Sequence, residues 1–127
     1  MASLALRSAA MSAYRAIHQG AEGREAKIEL LEMLLDGLAA SLAGIRNAEL
    51  AGDTDAREAH RARATRIVAG LEKALDSRFN RELAESLGTI YKYILKRLNR
   101  LSVDQPSEVV AELLNLTNTL RSAFLAR

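Results

Sequence analysis

The sequence predicts an all-α protein, an antiparallel up-down-up-down four-helix bundle with a short N-terminal arm or helix. Three observations point there. Aromatic residues make up 4% of the 127 residues, tryptophan is absent, proline occurs once, and Ala and Leu dominate. Such usage suits helices better than sheets. Apolar residues also recur at alternating steps of three and four in four separate stretches, which places them on one face of a helix. The breaks between these stretches are short, and a short loop forces neighbouring helices antiparallel.

Residues 1–23 read as an N-terminal arm, set off by Gly20 and Gly23, on which Tyr14 and Ile17 make a short apolar edge; residues 24–127 read as the bundle domain. Met1 to Ala21 carries Arg7 and Arg15 with no acid, a superficial likeness to a targeting peptide, but Arg7 splits its apolar run and no hydrophobic region of signal-peptide length follows. In the first helix the stripe is Ile28, Leu31, Leu35, Leu38, Leu42 and Ile45. It ends at Ala51-Gly52-Asp53-Thr54-Asp55, where Gly52 can take a left-handed cap and Asp53, Thr54 or Asp55 can cap the next helix. The second helix, about Ala56 to Leu75, starts polar and alanine-rich and then shows Ala64, Ile67, Val68, Leu71 and Leu75. After a connection in which Asn80 is a candidate cap, the third runs to about Leu101 with Leu83, Leu87, Ile90, Ile94, Leu98 and Leu101. Pro106 fits a connection or the first turn of the last helix, where its missing N–H does no harm. That helix carries Val109, Leu113, Leu116, Leu120 and Phe124.

Composition bounds function. The chain has no cysteine, so disulfides, thiolate metal sites and cysteine nucleophiles are excluded and a cytoplasmic address is permitted. Lys and Arg number 18 against 16 acids, with the signs interspersed, too even a balance to argue for nucleic acid. Apolar runs fall well short of the ~20 residues of a membrane span. The two histidines, His18 and His60, have no metal-ligand partner at helical spacing and read as surface residues. Asp53-Thr54-Asp55 starts like a calcium loop but lacks the later glycine and glutamate that such a loop needs. No phosphate-cradling loop follows Gly20 and Gly23. The expectation is a protein that is not an enzyme and needs no cofactor.

Helices three and four each carry a second apolar stripe: Ala84, Gly88, Tyr91 and Leu95 on one, Val110, Leu114, Thr117 and Leu125 on the other. Either these residues thicken the core, or they widen the apolar face enough to accept a partner's amphipathic helix. On the second view Ala84 and Gly88 leave a shallow groove, and Tyr91, Leu95, Val110 and Leu114 form the contact region. Arg57, Arg61, Arg63 and Arg66, with Lys92, Lys96, Arg97 and Arg100, give helices two and three basic faces. These read as solvated faces with Glu partners such as Glu58 and Glu72. A nucleic-acid-binding bundle is the alternative from another class, and an adaptor for a different protein client is the runner-up.

Met33-Leu34-Leu35-Asp36-Gly37 is similar to a Met-Leu-Tyr-Asp-Gly signature, with Leu35 in place of tyrosine. Tyr91 and Tyr93 ahead of Arg97-Leu98, and the run Leu120-Arg121-Ser122-Ala123-Phe124, follow in order. In these three pieces the chain resembles the FliS family of flagellar secretion chaperones, from about Lys27 to Phe124. It departs at Ala26-Lys27, where the family commonly has Ser-Pro. The resemblance implies a cytoplasmic, flagellin-specific export chaperone. Such a protein binds the disordered C-terminal region of flagellin, prevents premature polymerisation, and delivers it to the flagellar type III export apparatus. It also implies that the arm, through Tyr14 and Ile17, lies over part of the flagellin-binding surface in the free protein. No nucleic-acid partner and no membrane insertion are expected.

Overall fold

Four helices follow one another in the computed structural model, which describes residues 24–75, 81–101 and 106–125: α1 (Arg24–Ala51), α2 (Thr54–Lys73), α3 (Arg81–Asn99) and α4 (Pro106–Leu125). There is no strand among the described residues. The arm with Tyr14 and Ile17, the cap candidate Asn80, and the side chains of Ile28, Leu83, Phe124 and Leu125 lie outside the described residues.

The helix ends are where the turn chemistry puts them. Gly52 takes φ +68°, which a residue without a Cβ reaches at no steric cost. Its N–H donates to the Glu49 carbonyl at 3.2 Å, and the Asp53 N–H donates to the Ala48 carbonyl at 2.9 Å. This pair of bonds satisfies carbonyls at the end of α1 in the Schellman manner. One residue on, the Asp53 side chain accepts from the Ala56 N–H at 3.0 Å and caps α2. Asp55 in the first turn of α2 and Lys73 in the last complement the helix dipole. Pro106 stands at the first position of α4 with Glu108 just behind it.

Each helix turns its stripe inward. Leu35, Leu38, Leu42 and Ile45 of α1, Leu71 of α2, Ile90 and Ile94 of α3 and Leu113, Leu116 and Leu120 of α4 are fully buried in one cluster. Burying a side chain of this size stabilises the fold by ~1.5–3 kcal/mol. Ile67 and Leu75 of the second stripe are only partly buried and pack against its edge.

The order around the core follows from which flanks touch. The space above Gly44 of α1 is filled by His60 of α2, and that above Gly37 by Ile67. Seven residues one way on α1 therefore match seven the other way on α2, so the pair is antiparallel. Leu75 at the end of α2 reaches Gly88 near the start of α3. Arg97 near the end of α3 meets Glu112 near the start of α4, and Arg121 near the end of α4 meets Asp36 of α1. The helices thus form a square in which α1 and α3 stand on one diagonal and α2 and α4 on the other. Backbones approach closely along α1–α2, α1–α4 and α2–α3, and little along α3–α4.

Candidate functional site

Five successive residues of a helix point around most of its circumference, and Met33 to Gly37 illustrate the consequence. Leu35 is fully buried, Leu34 packs partly against the core, and Met33 is 66% exposed. Asp36 reaches toward α4, where Arg121 Nε donates to its Oδ1 at 2.9 Å while Arg121 Nη1 donates to Asn118 Oδ1 at 3.1 Å. Gly37 faces α2, where an added Cβ would stand 3.2 Å from the Ile67 Cδ1 atom. The pentapeptide joins the core and two neighbouring helices instead of forming one surface. Two of the sequence pieces that carry the family resemblance meet in the Asp36–Arg121 pair.

A second polar link closes the α3–α4 side. Glu112 is 8% exposed, and Arg97 Nε donates to its Oε1 at 3.3 Å. Tyr93 also hydrogen-bonds Glu112. Burial, then that bond and the carboxylate charge, push the Tyr93 hydroxyl above its ordinary pKa, and the Arg97 guanidinium opposes them. A buried carboxylate is tolerated only when paired and hydrogen-bonded. Leu98, beside Arg97, is fully buried in the core.

The expected contact residues divide between two flanks. Tyr91 and Val110, at 0% and 1% exposure, lie in the core. Leu95 and Leu114 are partly buried against it, and Ala84 and Gly88 are partly exposed. Gly88 looks toward Leu75, just past the end of α2. Leu95 is two turns farther along and Ala84 one turn back, so all three share the flank of α3 that faces α2. Leu114 sits two turns before Arg121, on the flank of α4 that faces α1. Thr117 is fully buried.

His60 differs from its expected surface setting: it is partly buried, and its ring lies where a Cβ on Gly44 would be, 2.6 Å from Nδ1. The basic faces are partly spent in pairs. Arg57 Nη1 lies 2.8 Å from Glu49 Oε1, and Arg61 pairs with Glu58, as expected of a solvated face. The hydrogen bond from Arg61 holds the Glu58 carboxyl below its usual value. Among the described residues, no group of three or more His, Asp or Glu stands where it could hold a metal ion. No described helix is long and apolar enough to cross a membrane.

Sequence reasoning passed over Leu30, 47% exposed, together with the exposure of Met33, and over Gly70, where an added Cβ would meet no atom of the described residues within 4 Å. The available signal was that Leu30 and Met33 fall off the stripe of Leu31, Leu35 and Leu38. Glu112 was missed too, although an acid between Ala111 and Leu113 in an apolar helix is a signal of pairing.

Comparison with known proteins adds two findings. The profile of a family described as "Flagellar protein FliS" matches residues 10–126. The flagellar secretion chaperone FliS of Salmonella typhimurium (strain LT2) is 28% identical over 97 residues, covering 76% of this chain and 72% of that protein.

Proposed function

The chain belongs to the flagellar protein FliS family, and from that premise we propose that it is a flagellin-specific export chaperone. It holds the disordered C-terminal region of flagellin in the cytoplasm, prevents premature polymerisation, and delivers the client to the flagellar type III export apparatus without catalysing a reaction. The family match across residues 10–126 carries the reading. The curated relative's name, flagellar secretion chaperone, supports it.

The geometry adds a physical reason. A disordered segment that orders on binding gives up ~2–5 kcal/mol, so it needs a long apolar contact and not a single pocket. Partly buried apolar residues run along two flanks: Leu75, Ala84, Gly88 and Leu95 between α2 and α3, and Leu114 beside α1. Tyr91 and Val110 back these edges from the core. A client wrapped around the bundle can reach both flanks, whereas a compact one can reach only one. The arm, with Tyr14 and Ile17, competes with the client for part of this surface. Residues 1–23 form the arm, and 24–127 the bundle that binds.

Co-purification tests the proposal: intact flagellin from the same cell is retained, and a version lacking its C-terminal region is not. Equal retention of both would remove the specific-chaperone reading and leave the adaptor reading in its place.

A further inference from the structure

Along the α1–α2 seam the packing changes character. At Gly44 the His60 ring fills the space a side chain would take, and at Gly37 the Ile67 Cδ1 and, at 3.9 Å, the Arg63 Nη2 do the same. Three residues back along α1 and three on along α2, Leu34 stands level with Gly70, where a Cβ would meet no atom of the described residues within 4 Å. An open notch results. Leu30 and Met33, seven and four residues before Gly37 and so on the same face of α1, border the notch on that side, and both are exposed large apolar side chains among the described residues. Its α2 border is Ile67, with Arg63, Arg66 and Lys73 exposed around it. None of these three cations is ion-paired to a described carboxylate.

We propose that this notch is a second protein-docking site, which takes an amphipathic helix with acidic edges from a protein other than flagellin. The helix seats one apolar side chain over Gly70 and lays its neighbours on Leu30 and Met33, the ridge-into-groove contact that a missing side chain permits. Its acids face Arg63, Arg66 and Lys73, which sets orientation and excludes basic helices. The chain's own arm is mismatched, because Met1 to Ala21 carries Arg7 and Arg15 and no acid. A second copy would bring the same three cations into the contact. The inference rests on the chaperone reading in one respect: handing over a client requires a surface that remains free while the client is held. The flanks assigned above to flagellin, at Leu95 and Leu114, leave the Gly70 notch open.

The test uses the full chain and two labelled helical peptides of 18 residues with the same Leu stripe, one edged with Glu and the other with Lys. The Glu peptide binds at least tenfold tighter, and it stays bound when a flagellin C-terminal segment is present at saturation. Replacing Arg63 and Arg66 by Glu reverses the preference. Gly70→Leu fills the notch and weakens the Glu peptide at least tenfold. Because Leu favours a helix over Gly and its Cβ has open space, the melting temperature holds or rises. Equal binding of the two peptides, unchanged binding by Gly70→Leu, displacement by the flagellin segment, or dimerisation of the chain that Met33→Glu abolishes would each overturn the proposal. A chain that retains flagellin while ignoring both peptides loses this inference alone. A chain that binds the Glu peptide but not flagellin keeps the docking site and loses the chaperone reading.

Discussion

The α1–α2 and α3–α4 sides of the bundle are joined by opposite means. Along α1–α2 small residues let the backbones close up: Gly37 and Gly44 on α1 receive Ile67 and His60, and Ala64 of α2 is fully buried. Along α3–α4 the backbones stay apart, and the junction is made by long side chains, Arg97 and Tyr93 meeting Glu112. Close backbone packing tolerates little change, since interiors are dense and overpacking strains them. A junction of side-chain tips has more rotamers available. On the proposed function, in which a client wraps the bundle, one side of each kind lets the fold keep its shape while the other adjusts.

The largest effect expected on this contrast is at Tyr91. It is fully buried on α3 among the largest core side chains, and truncating a buried aromatic to Ala typically costs ~3–5 kcal/mol. Denaturant unfolding of Tyr91→Ala should show that loss, whereas Leu95→Ala, at the partly buried edge, should lose less stability and more flagellin affinity. If Tyr91→Ala instead melts like the unmodified protein, α3 tolerates a cavity in the core toward α2 as well, and loose packing is not confined to its junction with α4.

Next comes Gly44. A Cβ there would stand 2.6 Å from Nδ1 of His60 and 2.7 Å from two ring carbons, so the ring must move aside. Overpacking of this kind costs ~1–3 kcal/mol, and Gly44→Val should fall in that range by thermal or chemical unfolding. Pairing it with His60→Ala should recover most of the loss, because the space then exists. Gly70→Ala on the same seam meets no atom of the described residues within 4 Å and should gain roughly 0.5–1 kcal/mol, the helix-propensity difference between Gly and Ala.

How much of this was legible in the sequence depends on the kind of information. The stripe residues Leu35, Leu38, Ile90, Ile94 and Leu113 were read from periodicity, and all are buried as expected. Asp53 and Gly52 were read from turn chemistry, which is local. The second stripes were read correctly as apolar, but periodicity within one helix does not say which neighbour a flank meets. The register of α3 against α2 and of α4 against α1 sends Leu95 and Leu114 to different flanks, and the sequence carries that register only through contacts between distant residues. The pairs Asp36–Arg121 and Arg97–Glu112 were illegible for the same reason, although the resemblance had already drawn attention to Asp36, Arg97 and the run containing Arg121. Gly70 is one glycine in a helix by sequence, and only the packed seam shows that no described residue covers it.

A smaller effect concerns Tyr93 and pH. Its folded-state pKa lies above the ordinary value of a tyrosine because of burial first, and then the bond to Glu112. The neutral hydroxyl is therefore favoured in the folded state. Its contribution to stability is complete below the unfolded value and is lost as pH rises through that value toward the folded one. Unfolding of the unmodified chain and of Tyr93→Phe should run parallel at neutral pH and converge or cross above about pH 10, where only the former still has this group to ionise. Parallel curves throughout would show that neither burial nor Glu112 raises the pKa of Tyr93 in the folded state.

The smallest expected effect is at Asp36–Arg121, although this pair unites two pieces of the family resemblance. Its side chains are 63% and 41% exposed, and the contact is 2.9 Å long. Water competes for both groups and two long side chains must be held still, so such a pair contributes roughly 0–1 kcal/mol. A double-mutant cycle with Asp36→Ala and Arg121→Ala should return a coupling in that range. It should shrink between 0.1 and 1 M salt, where the screening length falls from roughly 10 to 3 Å. The Arg97–Glu112 cycle makes the complementary measurement: at 29% and 6% side-chain exposure it should couple more strongly and respond less to salt. A salt-insensitive Asp36–Arg121 coupling larger than that of Arg97–Glu112 would mean that the α1–α4 side, and not the α3–α4 side, depends on its ion pair. The opposition between a side closed by backbone packing and a side closed by charge would then have to be redrawn around α4.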